Sequence, residues 1–230
     1  MGTTAPSKQR GWRAYRSFLF TPSYVLNTLG MTAMTFAAGG MAFWMPRYIF
    51  KVRGLYAEMG DAGLGRVNLI FGGIVVLAGL FGAVGGGLAG DALQKRWSGA
   101  YFFLSGLTLL AAFPMILLVL WVPFPWAWAF IFLAVFCLYV NTGPTNTILA
   151  NVTHPQVRES GFAVNILIIH ALGDAISPFV IGLIAGIRSM DAGFVAVSLT
   201  VLVGGLFWLW GARYLERDTE LAPTRLGSGE

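Results

Sequence analysis

WSGAYFFLSGLTLLAAFPMILLVLWVPFPWAWAFIFLAVFCLYVNTGPTNTILANVT, residues 97–153, contains no charged side chain. A soluble domain carries about 25% charged residues, so an uncharged run of this length has no place on a water-facing surface. The Pro123-Phe124-Pro125 step divides it into two pieces. Each piece is long enough to cross a bilayer, which takes about 20 apolar residues at roughly 1.5 Å rise per residue. The rest of the chain follows the same rule. Arg16 and Arg47 bracket one uncharged stretch, and Arg66 and Asp91 bracket another. Ser160 to Ile187 holds one carboxylate, Asp174, and one imidazole, His170, while Ala192 to Ala212 is again free of charge. The pattern predicts six transmembrane helices, near residues 24–46, 67–90, 100–121, 126–150, 160–187 and 193–213.

Composition agrees. Over 230 residues, 57% are hydrophobic, 11% are charged, and the mean hydropathy is +0.71. The fold class is therefore all-α integral membrane. Three regions are expected: a basic cytoplasmic N-terminal segment, 1–22, a transmembrane bundle, 23–214, and a disordered cytoplasmic tail, 215–230. The aromatics among SKQRGWRAYRSFLF, residues 7–20, favour contact with anionic lipid over nucleic acid beside a membrane span. With the N-terminus inside, Lys8, Arg10, Arg13, Arg16, Lys95, Arg96, Arg158, Arg213, Arg217 and Arg225 face the cytoplasm. Arg47, Lys51, Arg53, Arg66 and Arg188 face outward, and this asymmetry places both termini in the cytoplasm of a cell (inner) membrane. Cys137 is the single cysteine, so an internal disulfide and a cysteine-based metal site are excluded. No metal site, cofactor or nucleic-acid partner is expected.

Local signals add detail. Thr21-Pro22 resembles an N-cap with proline at the first helical position. Thr153-His154-Pro155-Gln156 has capping-box spacing and suggests a short surface helix. Gly82, Gly86 and Gly90 recur every four residues, a face that lets a neighbouring backbone approach closely.

Polar residues inside the spans are the candidates for function. Thr28, Thr32 and Thr35 share one helix face, with Asn27 beside them. Asn141, Thr142, Thr145 and Asn146 surround the Gly143-Pro144 break. His170 and Asp174 stand four residues apart, on a face continued by Gly173 and Ser177, just before Pro178. A carboxylate at the bilayer centre costs about 2.5–3.5 kcal/mol on insertion scales, so Asp174 is not expected to face lipid. Two readings remain open for the pair: a buried polar knot that fixes neighbouring helices, or a titrating pair facing a path.

GLAGDALQKR, residues 87–96, resembles the inter-helix signature of the major facilitator superfamily, matching at Gly87, Asp91, Lys95 and Arg96. Ala92 stands where that signature has a basic residue. SYVLNTLGMTAMTFAAGGMAFWMPRYI (23–49), RVNLIFGGIVVLAGL (66–80) and HALGDAISPFVIG (170–182) are similar to its spinster-like branch, specifically to the C-terminal six helices. The resemblance implies half of a major facilitator fold, a 3+3 inverted repeat whose first helix in each triplet lines a central path. It implies a lysolipid-like or other small organic substrate moved by alternating access. The implied path residues are Thr28, Thr32, Thr35, Asn141, Thr145, Asn146, His170 and Asp174. The implied partners are the lipid bilayer and either an N-terminal six-helix half or a second copy of the chain. The proton-coupling acids of the family's N-terminal half have no counterpart here.

Two rivals compete with a transporter. A non-transporting fragment or accessory subunit fits a lone six-helix unit. An intramembrane protease fits the helix count but not the residues. Leu104-Ser105-Gly106 lacks the first glycine of a rhomboid-like motif, and Asp91 and Asp174 lie at different depths, too far apart to share a proton. No catalytic residue is expected.

Overall fold

The computed structural model describes residues 8–226, and every regular element among them is helical. In chain order these are α1 (Lys8–Leu19), α2 (Pro22–Lys51), α3 (Asp61–Gln94), α4 (Ala100–Trp121), α5 (Trp126–Tyr139), α6 (Thr142–Val152), α7 (Arg158–Ile168), α8 (Ser177–Ile187), α9 (Met190–Gly211) and α10 (Leu215–Leu221). A wide-turn π segment, Ile169–Asp174, joins α7 toward α8. Short 3-10 turns occupy Ala57–Met59, Pro155–Val157 and Ala222–Thr224.

Five helical stretches are long and apolar enough to cross a membrane: Asp61–Gln94, Ala100–Trp121, Trp126–Val152, Pro155–Ile187 and Met190–Gly211. The remaining expected span, α2, has the length, at 30 residues. Its threonines, glycines and Asn27 dilute its apolar character.

The core forms where α2, α4 and α9 meet. Trp208, Phe102 and Phe194 are wholly buried there, and Trp208 donates from Nε1 to the Asn27 carbonyl at 3.3 Å. Around this centre α3 packs on α5 and α6, while α2 packs on the π segment and α8. Much of α3 and of the α7–α8 stretch lies on the outside, displaying Leu69, Val76, Leu80, Leu167, Phe179 and Leu183. Apolar side chains on the outer surface are the ordinary result when the surroundings are lipid.

The interruption of the fourth expected span falls earlier than its glycine and proline. Hydrogen bonding breaks at Val140–Asn141, although both residues keep helical dihedrals. Pro144 has no N–H to offer the Val140 carbonyl one turn back. That carbonyl lies against Gly86 of α3, where any side chain would collide with it. Gly82 meets the Phe136 carbonyl in the same way, and Gly90 packs against Tyr101 and Pro144. The glycine face is thus the seat for a distorted helix.

Thr21 is the N-cap residue of α2 with Pro22 at the first helical position, as expected, although its hydroxyl donates backward to the Ser17 carbonyl at 3.0 Å and not to the helix end. Two expectations need correction. At the short turn after α6 the cap is His154, whose Nδ1 accepts from the Gln156 N–H at 3.2 Å, while the Thr153 hydroxyl is buried without a partner. The described part of the tail is helical: α10 packs against α2 and α6, the Ala222–Thr224 turn packs on α10, and Leu215, Asp218 and Ala222 are buried. Residues 1–7 and 227–230, parts of the two expected terminal regions, lie outside the described residues.

Candidate functional site

The polar residues of α2 meet α6 and the α7–π stretch along one seam. Thr28, buried, accepts at Oγ1 from Asn165 Nδ2 at 2.9 Å. Thr32 donates to the Thr28 carbonyl at 2.8 Å. Thr35 donates both to the Thr32 carbonyl at 3.1 Å and across to the Ile169 carbonyl at 3.0 Å. Asn27 donates from Nδ2 to the Thr145 carbonyl at 3.1 Å.

On α6, Asn141 and Thr145 are buried and work on the break itself. Asn141 Nδ2 donates to the Leu138 carbonyl, and Thr145 Oγ1 donates to the Asn141 carbonyl at 2.8 Å. The Asn141 carbonyl also accepts the Thr145 N–H at 2.9 Å, so the two side chains reinforce the turns on either side of the break. Asn146 is exposed and bonds within its own helix, to the Thr142 carbonyl at 2.9 Å.

The π segment carries the remaining pair. His170 Nδ1 and Asp174 Oδ2 are 2.9 Å apart, with side chains 58% and 37% exposed. His170 is therefore open at the surface of the bundle and Asp174 half-covered by α2, so among the described residues the pair is not enclosed as a buried knot. Pro178 cannot donate to the Asp174 carbonyl, and the nearest replacement is the Ser177 hydroxyl at 3.5 Å, at the limit of a hydrogen bond. The wide-turn stretch is held from α2 on both sides: Thr35 Oγ1 donates to the Ile169 carbonyl, and Trp44 Nε1 donates to the Pro178 carbonyl at 2.8 Å. Close approach is possible because α2 offers Gly39, where a side chain would run into Asp174. Isolated π-turns inside α-helices occur often at functional sites.

The structure thus links Thr28, Thr32 and Thr35 along α2 and outward to Asn165 and Ile169, ties Thr145 separately to Asn27 and Asn141, and pairs His170 with Asp174. It does not join Asn146 to any of these groups. Gly87 of the loop motif touches Gly143, and Asp91 accepts from the Tyr101 hydroxyl at 2.8 Å. Lys95 and Arg96 are exposed. Among the described residues no group of three or more His, Cys, Asp or Glu is placed to hold a metal ion.

Sequence reasoning missed Asn165 and Trp44. A signal for Asn165 existed, since an amide inside GFAVNILII must find a partner once buried. Nothing in the spacing of Trp44 points to Pro178, 134 residues further along the chain.

A small open cleft lies between α2, α3, α4 and α5. Its walls are apolar, including Met41, Met45, Phe71, Ile116, Ile131 and Leu138. None of the path residues expected from sequence lines it.

The family model described as Major Facilitator Superfamily matches residues 2–178. Human protein spinster homolog 3 is 31% identical over 216 residues, covering 85% of this chain and 42% of its own length. Protein spinster homolog 1 of Xenopus laevis is 27% identical over 241 residues, covering 96% of this chain and 46% of its own. Among solved structures, a bacterial homolog to the human lysosomal transporter Spinster, inward-facing and unoccupied, superposes with a TM-score of 0.79 at 16% identity. That match covers 94% of this chain and 53% of the other, and the inward-facing occupied form gives 0.75. The chain spans about half the length of the curated relatives it matches. It belongs to the major facilitator superfamily, a family of membrane transporters and not of enzymes, and within it resembles the spinster proteins.

Proposed function

We propose that this chain is the C-terminal six-helix half of a transporter that moves an amphiphilic, lysolipid-like or other small organic molecule by alternating access. The observation that carries the reading is the outward display of His170 and Asp174. A carboxylate facing hydrocarbon would cost about 2.5–3.5 kcal/mol, so this face needs water or protein opposite it. A second six-helix unit across a watery path supplies both, whether an N-terminal half or a second copy of the chain.

The packing pattern supports a 3+3 repeat, with α2 as the sixth span. The first triplet is α2, α3 and α4; the second is α5–α6, α7–α8 and α9. Exchanging the triplets maps the contact of α2 with α8 onto that of α5–α6 with α3. It also maps α2 on α9 onto α5–α6 on α4. In such repeats the first helix of each triplet is the polar or interrupted one, and substrate sits at their interface. Because Thr28, Asn141 and Thr145 are buried, path-lining is assigned to the more open Thr32, Thr35, Asn146, His170 and Asp174. The apolar cleft beside α2 fits the tail of an amphiphile, and the His170–Asp174 pair fits a polar head. The basic asymmetry supports an inner membrane with both termini cytoplasmic.

A second reading, a non-transporting accessory unit, is favoured by the 42% coverage of the human relative. Proteoliposomes holding this chain alone are expected to take up no fluorescent lysophospholipid above empty liposomes. In the chain assembled with an N-terminal half, uptake is expected, and Asp174→Asn should fold normally yet shift the pH profile of uptake. Absence of uptake by the assembled pair supports the accessory reading. An unchanged pH profile for Asp174→Asn, with Asp174→Leu failing to fold, makes the pair structural.

A further inference from the structure

Pro22 opens α2, and the N–H of Ser23 in that first turn needs an acceptor, because the first four N–H groups of a helix have none inside it. Thr21 does not provide one. The acceptor comes instead from the far end of the chain: Asp218 Oδ2, on α10, receives the Ser23 N–H at 2.8 Å. The Asp218 side chain is 6% exposed. Its other oxygen meets Arg225 Nη2 at 3.0 Å. Arg225 Nη1 in turn donates to the carbonyl of Val152, the last residue of α6, at 2.7 Å. Burial pushes the Arg225 guanidinium below its usual range, and the adjacent Asp218 opposes that shift.

Each charge therefore sits at the helix end whose dipole favours it, the carboxylate at the N-terminus of α2 and the guanidinium at the C-terminus of α6. The two helix ends belong to the first helices of the two triplets, and they are tied by side chains seven residues apart in the tail. We propose that Asp218 and Arg225 form a polarity-specific clamp that holds the N-terminal end of α2 to the C-terminal end of α6, so that the two ends move as one body. This role does not depend on the identity of any substrate.

The clamp differs from a simple ion pair in one respect. Exchanging its charges would keep the attraction between the two side chains but would set a cation against the α2 N-terminus and an anion against the α6 C-terminus. The test uses the full chain in nanodiscs, with Cys137→Ala and spin labels at Val25→Cys and Gln156→Cys, two exposed positions near the joined ends. Double electron–electron resonance is expected to give a narrow distance distribution for the parent. Asp218→Asn and Arg225→Gln should each broaden it, and the double variant should broaden it no further than either. The exchange Asp218→Arg with Arg225→Asp should not restore the narrow distribution. Arg225→Gln leaves the cap on α2 in place and so guards against loss of fold as the cause. A narrow distribution in both single variants overturns the clamp, and its recovery in the exchanged variant reduces the arrangement to an ordinary ion pair.

Discussion

At the scale of single residues, the chain is governed by carbonyls that prolines release and by the small residues that accept them. Pro144 frees the Val140 carbonyl, and Gly86 gives it room. Gly86→Leu must push backbone against backbone, so it is expected to cost about 3 kcal/mol, the upper end of ordinary overpacking. Gly85 has open space around its Cα, and Gly85→Ala should leave stability level or slightly raised. Thermal unfolding in detergent separates the two, and equal midpoints would remove the packing role of Gly86. The glycine face was legible in the sequence because its four-residue spacing admits few meanings. Its partner was not, since a carbonyl released by Pro144 leaves no mark on α3. His170 and Asp174 were legible for the opposite reason, as polar groups in a run where each is expensive, and their hydrogen bond follows from a four-residue spacing. Whether they faced inward or outward depended on which neighbours surround the helix, and that is a tertiary fact.

At the scale of elements, ends and interruptions decide the architecture. The α4 helix ends with Arg53, from the loop after α2, donating to the carbonyls of Val119, Leu120 and Val122 at 2.7, 2.8 and 2.6 Å. The guanidinium also stacks 5.4 Å from the Phe124 ring. Sequence counting assigned Arg53 to the outer surface as one basic residue among five; the structure gives it to a helix terminus, which weakens the outer basic count as an argument against the orientation. Hydrogen bonds to charged groups contribute about 1.5–3 kcal/mol, so Arg53→Ala is expected to lower stability by about that much and Arg53→Lys by less. Unfolding curves check the order, and no difference from the parent would assign the three bonds no net worth. Pro178 marks the interruption before α8 in the sequence, whereas the wide turn upstream leaves no such mark. Its cause lies on α2, where Gly39 permits contact and Thr35 and Trp44 supply donors.

At the scale of the whole molecule, charge spacing alone carried the all-helical membrane class, and the extent of the chain matched to spinster relatives carried the family. The tail misled because its mixed charges resemble a solvated segment, while its apolar Leu215 and Ala222 and its buried Asp218 find a surface that only the assembled bundle creates. The helix α2, the one expected span outside the five apolar stretches, is the one on which the account turns, since the proposed paired-triplet architecture requires it to cross the membrane. Its 30 residues reach about 45 Å at 1.5 Å rise, enough for the crossing. Single cysteines at Ser7, Glu58 and Ser228, in a Cys137→Ala background, report this directly when intact cells are treated with a membrane-impermeant maleimide. The account predicts labelling of Glu58→Cys in intact cells and of Ser7→Cys and Ser228→Cys only after permeabilisation. Labelling of residues 7 and 58 from the same side would mean that α2 does not cross, and would contradict the six-span inverted repeat.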